Sequence, residues 1–358
     1  MQTESAPYLD TIETTDFCET SEKPHKFNDS MASALEKVYS EALENDNSEA
    51  IISGLEFYKH QGETMADMLI KHNSMLTDRA EKIKHCGTYV ETCTDPQTGK
   101  EKLLNANFCR QRICPSCQRR RSLKVAADIN KIRNELDDCE WVHLVLTVPN
   151  CQAVDLTKMV NRMYKCSSEF FRDKRVKQGF KGVLRCLEVT YSKDNVNGIS
   201  CDSETDSNNI LYEGSYHPHL HCLCCVKKWY FTSRYYLDHD LLMWKWIYYW
   251  GADRLLQVHA GKVKDDGAIA EVAKYCVKPL ELDLEDSERV IVLEHLFNVL
   301  HGRRLLQTYG EVREAAKKAR VDLNADDEDK PIGYKVVNRY SYDHNKGRYD
   351  YTDSEVID

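Results

Sequence analysis

Three histidines fall within five residues in the run His217-Pro-His219-Leu-His221, ahead of the apolar stretch Cys222 to Val226. In an extended strand, side chains alternate between faces. His219 and His221 therefore point one way and Leu220 the other. Two imidazoles one strand repeat apart make a rigid two-point metal clamp on an open sheet face, with room for a substrate. Glu188 lies inside an otherwise apolar run, Val183 to Tyr191, where an acid is costly unless it is paired or bound to metal. If that run lies beside the histidine strand, Glu188 becomes the third ligand. His217, on the same face by alternation, is its rival, although Pro218 tilts it away. Two imidazoles and a carboxylate with open positions suit a divalent ion that also holds phosphate oxygen, Mg²⁺ or Mn²⁺. The bland alternative is a set of half-buried histidines and a salt-bridged glutamate.

Two further groups carry chemistry. Cys109, Cys114 and Cys117 form a Cys-x4-Cys-Pro-Ser-Cys knuckle with Cys86 upstream. Soft thiolates around a two-residue turn suit tetrahedral Zn²⁺. A hairpin of Tyr89–Cys93 and Lys102–Asn107 would bring Cys86 to the knuckle, with Cys93 as a rival fourth ligand. Around it stand Arg110, Arg112, Arg119, Arg120, Arg121 and Lys124, a basic set able to grip phosphate from a stiff platform. A redox Cys-x2-Cys and a solvated basic face are the competing readings. Further on, Asp265-Asp266-Gly267 caps a helix over 268–278, stopped by Pro279. Glu271, Tyr275 and Lys278 share one face of it and offer a base, a nucleophile and a phosphate clamp.

The elements that must position these groups read as α+β. Strands are expected over Trp141–Val148, Gly182–Ser192, the histidine run and Leu255–Ala260; helices are expected over Ser122–Leu136, Leu156–Arg172, Tyr235–Trp250 and Ser287–Ala319. The second strand, the polar loop 193–209 and the histidine strand follow in order, so those two strands are expected to be antiparallel neighbours. The whole organisation reads as a disordered acidic tail over 1–30, N-terminal helices over 31–85, a zinc-binding module over 86–124, a catalytic domain over 125–282, a C-terminal helix over 283–320 and an acidic tail over 321–358.

The chain of 358 residues, 42% hydrophobic and 30% charged, is long enough to bury a substantial core. No apolar run approaches the ~20 residues that span a bilayer, and Met1 to Glu22 is polar and acidic, unlike a secretory signal. Fifteen cysteines, an odd number, read as cytosolic thiols with a subset on metal rather than a disulfide framework. Net charge is −9, but residues 51–320 carry 41 Lys and Arg against 36 Asp and Glu. A mildly basic body between acidic ends is compatible with a phosphate-backbone partner.

In their order along the chain these features resemble the HUH endonucleases, and within them the Rep_1 family of rolling-circle plasmid replication initiators. The likeness runs from Cys86 to Tyr309. It comprises the cysteine knuckle with Arg119-Arg120, Leu144-Val-Leu-Thr-Val148, Leu187-Glu-Val-Thr190, Pro218-His-Leu-His-Cys-Leu223, Glu271-Val-Ala-Lys-Tyr-Cys-Val-Lys278, Leu300-His-Gly-Arg-Arg304 and Tyr309-Gly310. His217 departs from the asparagine that such proteins often carry, and the loop 193–209 is long for the group. The resemblance implies an HUH fold, a central antiparallel sheet with helices on one face and the metal on the other. It implies metal-assisted attack by Tyr275 on single-stranded or hairpin origin DNA, giving a 5′-phosphotyrosyl link and a 3′-OH primer. Glu271 would activate water for the closing hydrolysis, and Lys278 would stabilise the phenolate. Expected partners are origin DNA, a host helicase and polymerase, and a second copy of the chain, in a prokaryotic cytoplasm. Alternatives are an HUH relaxase or transposase and a non-enzymatic, zinc-dependent DNA-binding regulator.

Overall fold

Two periodicities sort the chain into elements. The computed structural model describes residues 48–94, 101–193, 214–253, 256–263, 284–325, 333 and 336–357. Helices α1 (Ser48–Lys71) and α2 (Thr77–Lys84) precede a hairpin of β1 (Tyr89–Thr94) and β2 (Glu101–Ala106). Then come α3 (Pro115–Asn134), β3 (Cys139–Thr147), α4 (Ala153–Arg172), α5 (Lys174–Gly179), β4 (Gly182–Ser192) and β5 (Ser215–Lys227). Next are α6 (His239–Trp250), β6 (Val258–Lys262), α7 (Asp286–Leu300), β7 (Leu306–Tyr309) and α8 (Gly310–Lys318), and finally β8 (Val336–Asp343) and β9 (Arg348–Val356). Local chemistry sets several ends. Pro115 opens α3, where its missing N–H costs nothing. Asp238 caps α6 by accepting from the Leu241 N–H at 2.8 Å, and Gly251 closes it in the left-handed region at φ 69°.

The larger sheet has the order β6-β3-β5-β4-β7, every neighbour antiparallel. Alternation along β5 sends Leu220, Cys222, Cys224 and Val226 to one face, where they join Leu144 and Leu146 in a core with Met163 and Phe170 of α4 and Trp246 of α6. Trp246 packs edge-on to Phe170, with centroids 6.0 Å apart, and donates from Nε1 to the Thr147 carbonyl at 2.7 Å. Burying such a side chain stabilises by about 2–3 kcal/mol, and the hydrogen bond ties α6 to the end of β3. The other face gathers Trp141, Leu184, Leu223 and Cys225 against Val125, Ile129 and Ile132 of α3 and Val312 and Ala315 of α8.

Helices therefore cover both faces, which corrects the expectation of helices on one face only. The 283–320 stretch, expected as one helix, is α7, β7 and α8. Glycines permit that packing. Gly310 sits at φ 56°, and a Cβ there would lie 2.2 Å from the Lys181 carbonyl oxygen; one on Gly182 would lie 2.4 Å from the Val312 nitrogen.

A second sheet has the order β2-β1-β8-β9. The stretch read as an acidic tail over 321–358 thus contributes two paired strands. Arg339 lies among Glu91, Asp353 and Glu355 and offsets their charge. Tyr342 and Tyr349 pack with Val90 and with Ile52 and Leu55 of α1. Among the described residues no helix is long and apolar enough to cross a membrane. The acidic tail expected over 1–30 and the loop of 194–213 lie outside the described residues.

Candidate metal centres

The β4–β5 register sets Glu188 directly opposite His219, and paired residues share a face. Glu188 Oε2 lies 2.5 Å from His219 Nε2 and 2.9 Å from His221 Nε2. The three ligand atoms lie within 4.8 Å of one another. The carboxylate is only 6% exposed. Burial pushes its pKa up, but the hydrogen bonds to His219 and then His221 outweigh it and hold the carboxyl at about 2.

The second ring nitrogens explain what the cluster wants. His219 Nδ1 lies 3.2 Å from the His217 carbonyl. Donation there leaves Nε2 with a lone pair facing a carboxylate oxygen, and two acceptors at that separation repel. A cation shared between them, a proton or a metal ion, removes the conflict. Two imidazole nitrogens and one carboxylate fit a divalent ion with open positions.

His217 stands apart. Its ring centroid lies 5.4 Å from that of His219, and burial holds its pKa below the ordinary histidine value. Sequence reasoning missed His143 of β3, whose Nε2 lies 3.1 Å from His221 Nδ1 with the rings stacked at 17°. Burial, then the neighbouring His221 and His259, lower its pKa to about 4. The available signal was a lone histidine inside the apolar strand Trp141–Val148. Glu271, Tyr275 and Lys278 lie outside the described residues.

The cysteine group converges as well. Cys86 Sγ lies 3.6 Å from Cys117 Sγ and 3.5 Å from Cys114 Sγ, and Cys109 Sγ lies 3.7 Å from Cys117 Sγ. Tetrahedral zinc with Zn–S near 2.3 Å needs sulfurs roughly 3.8 Å apart, so the four thiols fit that ion. A hydrogen bond from Cys114 holds the Cys109 thiol below its usual value, and Cys114 is pushed up in return. Cys93 lies on β1 and is not in the group. The cluster is packed between α2 and α7 through Ile83, Val290, Leu293 and Phe297.

The expected phosphate-gripping residues divide. Arg110 is exposed, whereas Arg112, Arg119, Arg120, Arg121 and Lys124 are half-buried. Arg112 donates to the Leu300 and Arg303 carbonyls at 2.9 and 2.6 Å, closing the C-terminus of α7. Lys124 pairs with Asp128 at 2.5 Å. Arg119 and Arg120 lie over the rings of Tyr58 and Phe108. A third cluster, Cys139, Cys225 and Glu311, already holds a cation, since Lys227 Nζ lies 3.0 Å from Glu311 Oε2.

This arrangement, an antiparallel sheet carrying the Glu188, His219 and His221 cluster and a separate group of four cysteines, defines the class that the comparisons fill in. The Rep_1 profile, described as replication protein, matches residues 100–352. A Bacillus protein named Protein rep is 30% identical over 266 residues, covering 67% of this chain and 80% of its own. Protein rep of Streptococcus pneumoniae is 30% identical over 64% of this chain and 70% of its own, and that of Staphylococcus aureus 28% identical over 56% and 82%. No solved structure matches. The chain belongs to the Rep_1 family of replication proteins.

Proposed function

We propose that this chain is a rolling-circle replication initiator of the HUH type, which nicks single-stranded plasmid origin DNA by tyrosine transesterification. The convergence of Glu188, His219 and His221 on one point carries the reading. These three residues would hold Mg²⁺ or Mn²⁺, and Cys86, Cys109, Cys114 and Cys117 would hold Zn²⁺. A divalent ion bound there supplies Lewis-acid polarisation of a phosphate.

The rest is the work of side chains. The phenol oxygen of Tyr275 forms a bond to the scissile phosphorus, and the bond from phosphorus to the 3′ oxygen breaks. The phenol proton is lost and the departing oxygen gains one, so the products are a 5′-phosphotyrosyl link and a free 3′-OH. Phenols ionise near pH 10, and the Lys278 ammonium favours the anion. Glu271 takes a proton from water in the hydrolysis that ends the cycle. The 3′-OH is a primer for a host polymerase, with a helicase to open the duplex ahead, and the setting is a prokaryotic cytoplasm.

The test is nicking of single-stranded origin DNA with Mn²⁺, followed by mass spectrometry of the DNA-linked peptide. The adduct is expected on Tyr275, and Tyr275→Phe abolishes it. An adduct that persists in Tyr275→Phe refutes the assignment.

A further inference from the structure

Most of the basic residues beside the cysteine knuckle are engaged in internal contacts, while a different surface carries several exposed cations with no carboxylate partner, although Arg234 donates to the Tyr235 hydroxyl at 2.8 Å and Lys181 to the Gln178 carbonyl at 2.9 Å. Residues 172–181 and 227–236 carry eight Lys and Arg and a single acid, in a chain of net charge −9. That acid, Asp173, turns inward to Lys245 Nζ and Tyr249 Oη, each at 2.9 Å. Lys227 is paired with Asp138 and Glu311. Among the described residues Arg172, Lys174, Lys177, Lys228 and Arg234 meet no carboxylate.

The two segments form one rigid surface. Arg175 of α5 donates to the carbonyls of Tyr235, Arg234 and Tyr236 at 3.1, 3.0 and 2.8 Å. Gly179 allows the close approach, since a Cβ there would lie 2.8 Å from Leu237. The rings face outward between the charges. Trp229 is 47% and Tyr236 45% exposed. Trp229 lies 5.7 Å from Tyr235 and has Lys181 Nζ 5.9 Å from its ring. Single exposed aromatics are ordinary. Fixed rings among cations that lack carboxylate partners are the composition that binds single-stranded nucleic acid, with phosphates on the cations and bases on the rings.

We propose that helix α5 and the β5–α6 connection form a second DNA site, which holds single-stranded DNA by stacking bases on Trp229 and Tyr236. His219 and Lys227 are eight residues apart on β5, about 26 Å along a strand. The surface is therefore separate from the Glu188 centre and grips the strand away from the nick. DNA rather than another polyanion is the choice that rests on the replication reading. Duplex is disfavoured because its bases are not free to stack on a protein ring.

The test is fluorescence anisotropy of labelled oligothymidylate with the full chain and no added divalent ion. This probe has no origin sequence, so binding is read whether or not the protein nicks. Trp229→Ala with Tyr236→Ala is expected to weaken binding roughly tenfold or more, while Trp229→Phe stays within about threefold because a phenyl ring still stacks. Lys228→Ala with Arg234→Ala is expected to lower the salt slope by about 1.4. Ultraviolet crosslinks are expected in the peptide 227–236. Unchanged affinity in a ring double variant with a native circular dichroism spectrum overturns the proposal. So does an equal loss of affinity for duplex of the same length.

Discussion

Replacing His143 isolates the support of the candidate divalent centre from its ligands. His143 Nε2 lies 3.1 Å from His221 Nδ1, and the stacked rings have centroids 5.4 Å apart. When His221 offers the Nε2 lone pair to a metal, its Nδ1–H donates to His143, which orients the ring and raises its basicity. Loss of such a partner costs about 10–100-fold in metal affinity, or roughly 1.4–2.8 kcal/mol. Three variants separate the causes. His143→Phe keeps a stacked ring without the nitrogen, His143→Gln keeps an acceptor without the ring, and His143→Ala removes both. Mn²⁺ titration followed by electron paramagnetic resonance reads affinity directly and requires no DNA. The alanine and phenylalanine variants are expected to lose about 10–100-fold, and the glutamine variant is expected to recover part of it. If His143→Phe binds Mn²⁺ as tightly as the unaltered protein, the nitrogen has no orienting role and the reasoning fails.

Other outcomes follow from geometry elsewhere. Native mass spectrometry is expected to show one Zn²⁺ per chain, lost in Cys114→Ser with a fall in melting temperature, because Cys86, Cys114 and Cys117 share a core with α2 and α7; metal-free protein of unchanged stability would count against the zinc site. Gly310→Ala forces a left-handed residue and a clash with the Lys181 carbonyl, and should cost at least about 2 kcal/mol in urea unfolding. Gly302→Ala, at φ 70° with nothing within 4 Å, should cost only about 1 kcal/mol; equal losses would remove the steric argument. Burial raises the Asp173 pKa, but the hydrogen bond from Lys245 and the cap of α5 outweigh it, so its folded value is lowered. Its contribution is thus full above the unfolded value of about 4 and vanishes as pH falls through the folded one. Hydrogen exchange of residues 174–181 should distinguish Asp173→Asn from the parent near neutral pH and converge in acid; a gap that widens in acid reverses the sign.

Whatever depends on neighbours along the chain was legible. The period of a strand puts His219 and His221 on one face wherever that strand lies, and Cys-x2-Cys sets its own bite. The continuous apolar run at Trp141–Val148 and the amphipathic pattern of α4 are local too. Glu188 was foreseeable as a partner only on the supposition that β4 borders β5. The register that sets it opposite His219, and brings His143 to His221, belongs to strand pairing.

The tertiary structure alone decided the rest. The acidic balance over 321–358 reads as a solvated tail, yet between Val336 and Val356 β1 offers an open hydrogen-bonding edge and Arg339 offsets neighbouring carboxylates, so those residues form strands. Arg112 reads as a phosphate ligand because its charge is visible in the sequence, while the Leu300 carbonyl that it caps at the end of α7 lies 188 residues away. Local spacing prescribes which way a side chain points. Only the packed fold determines what it meets, because burial, strand register and electrostatic pairing arise between segments that the sequence holds far apart.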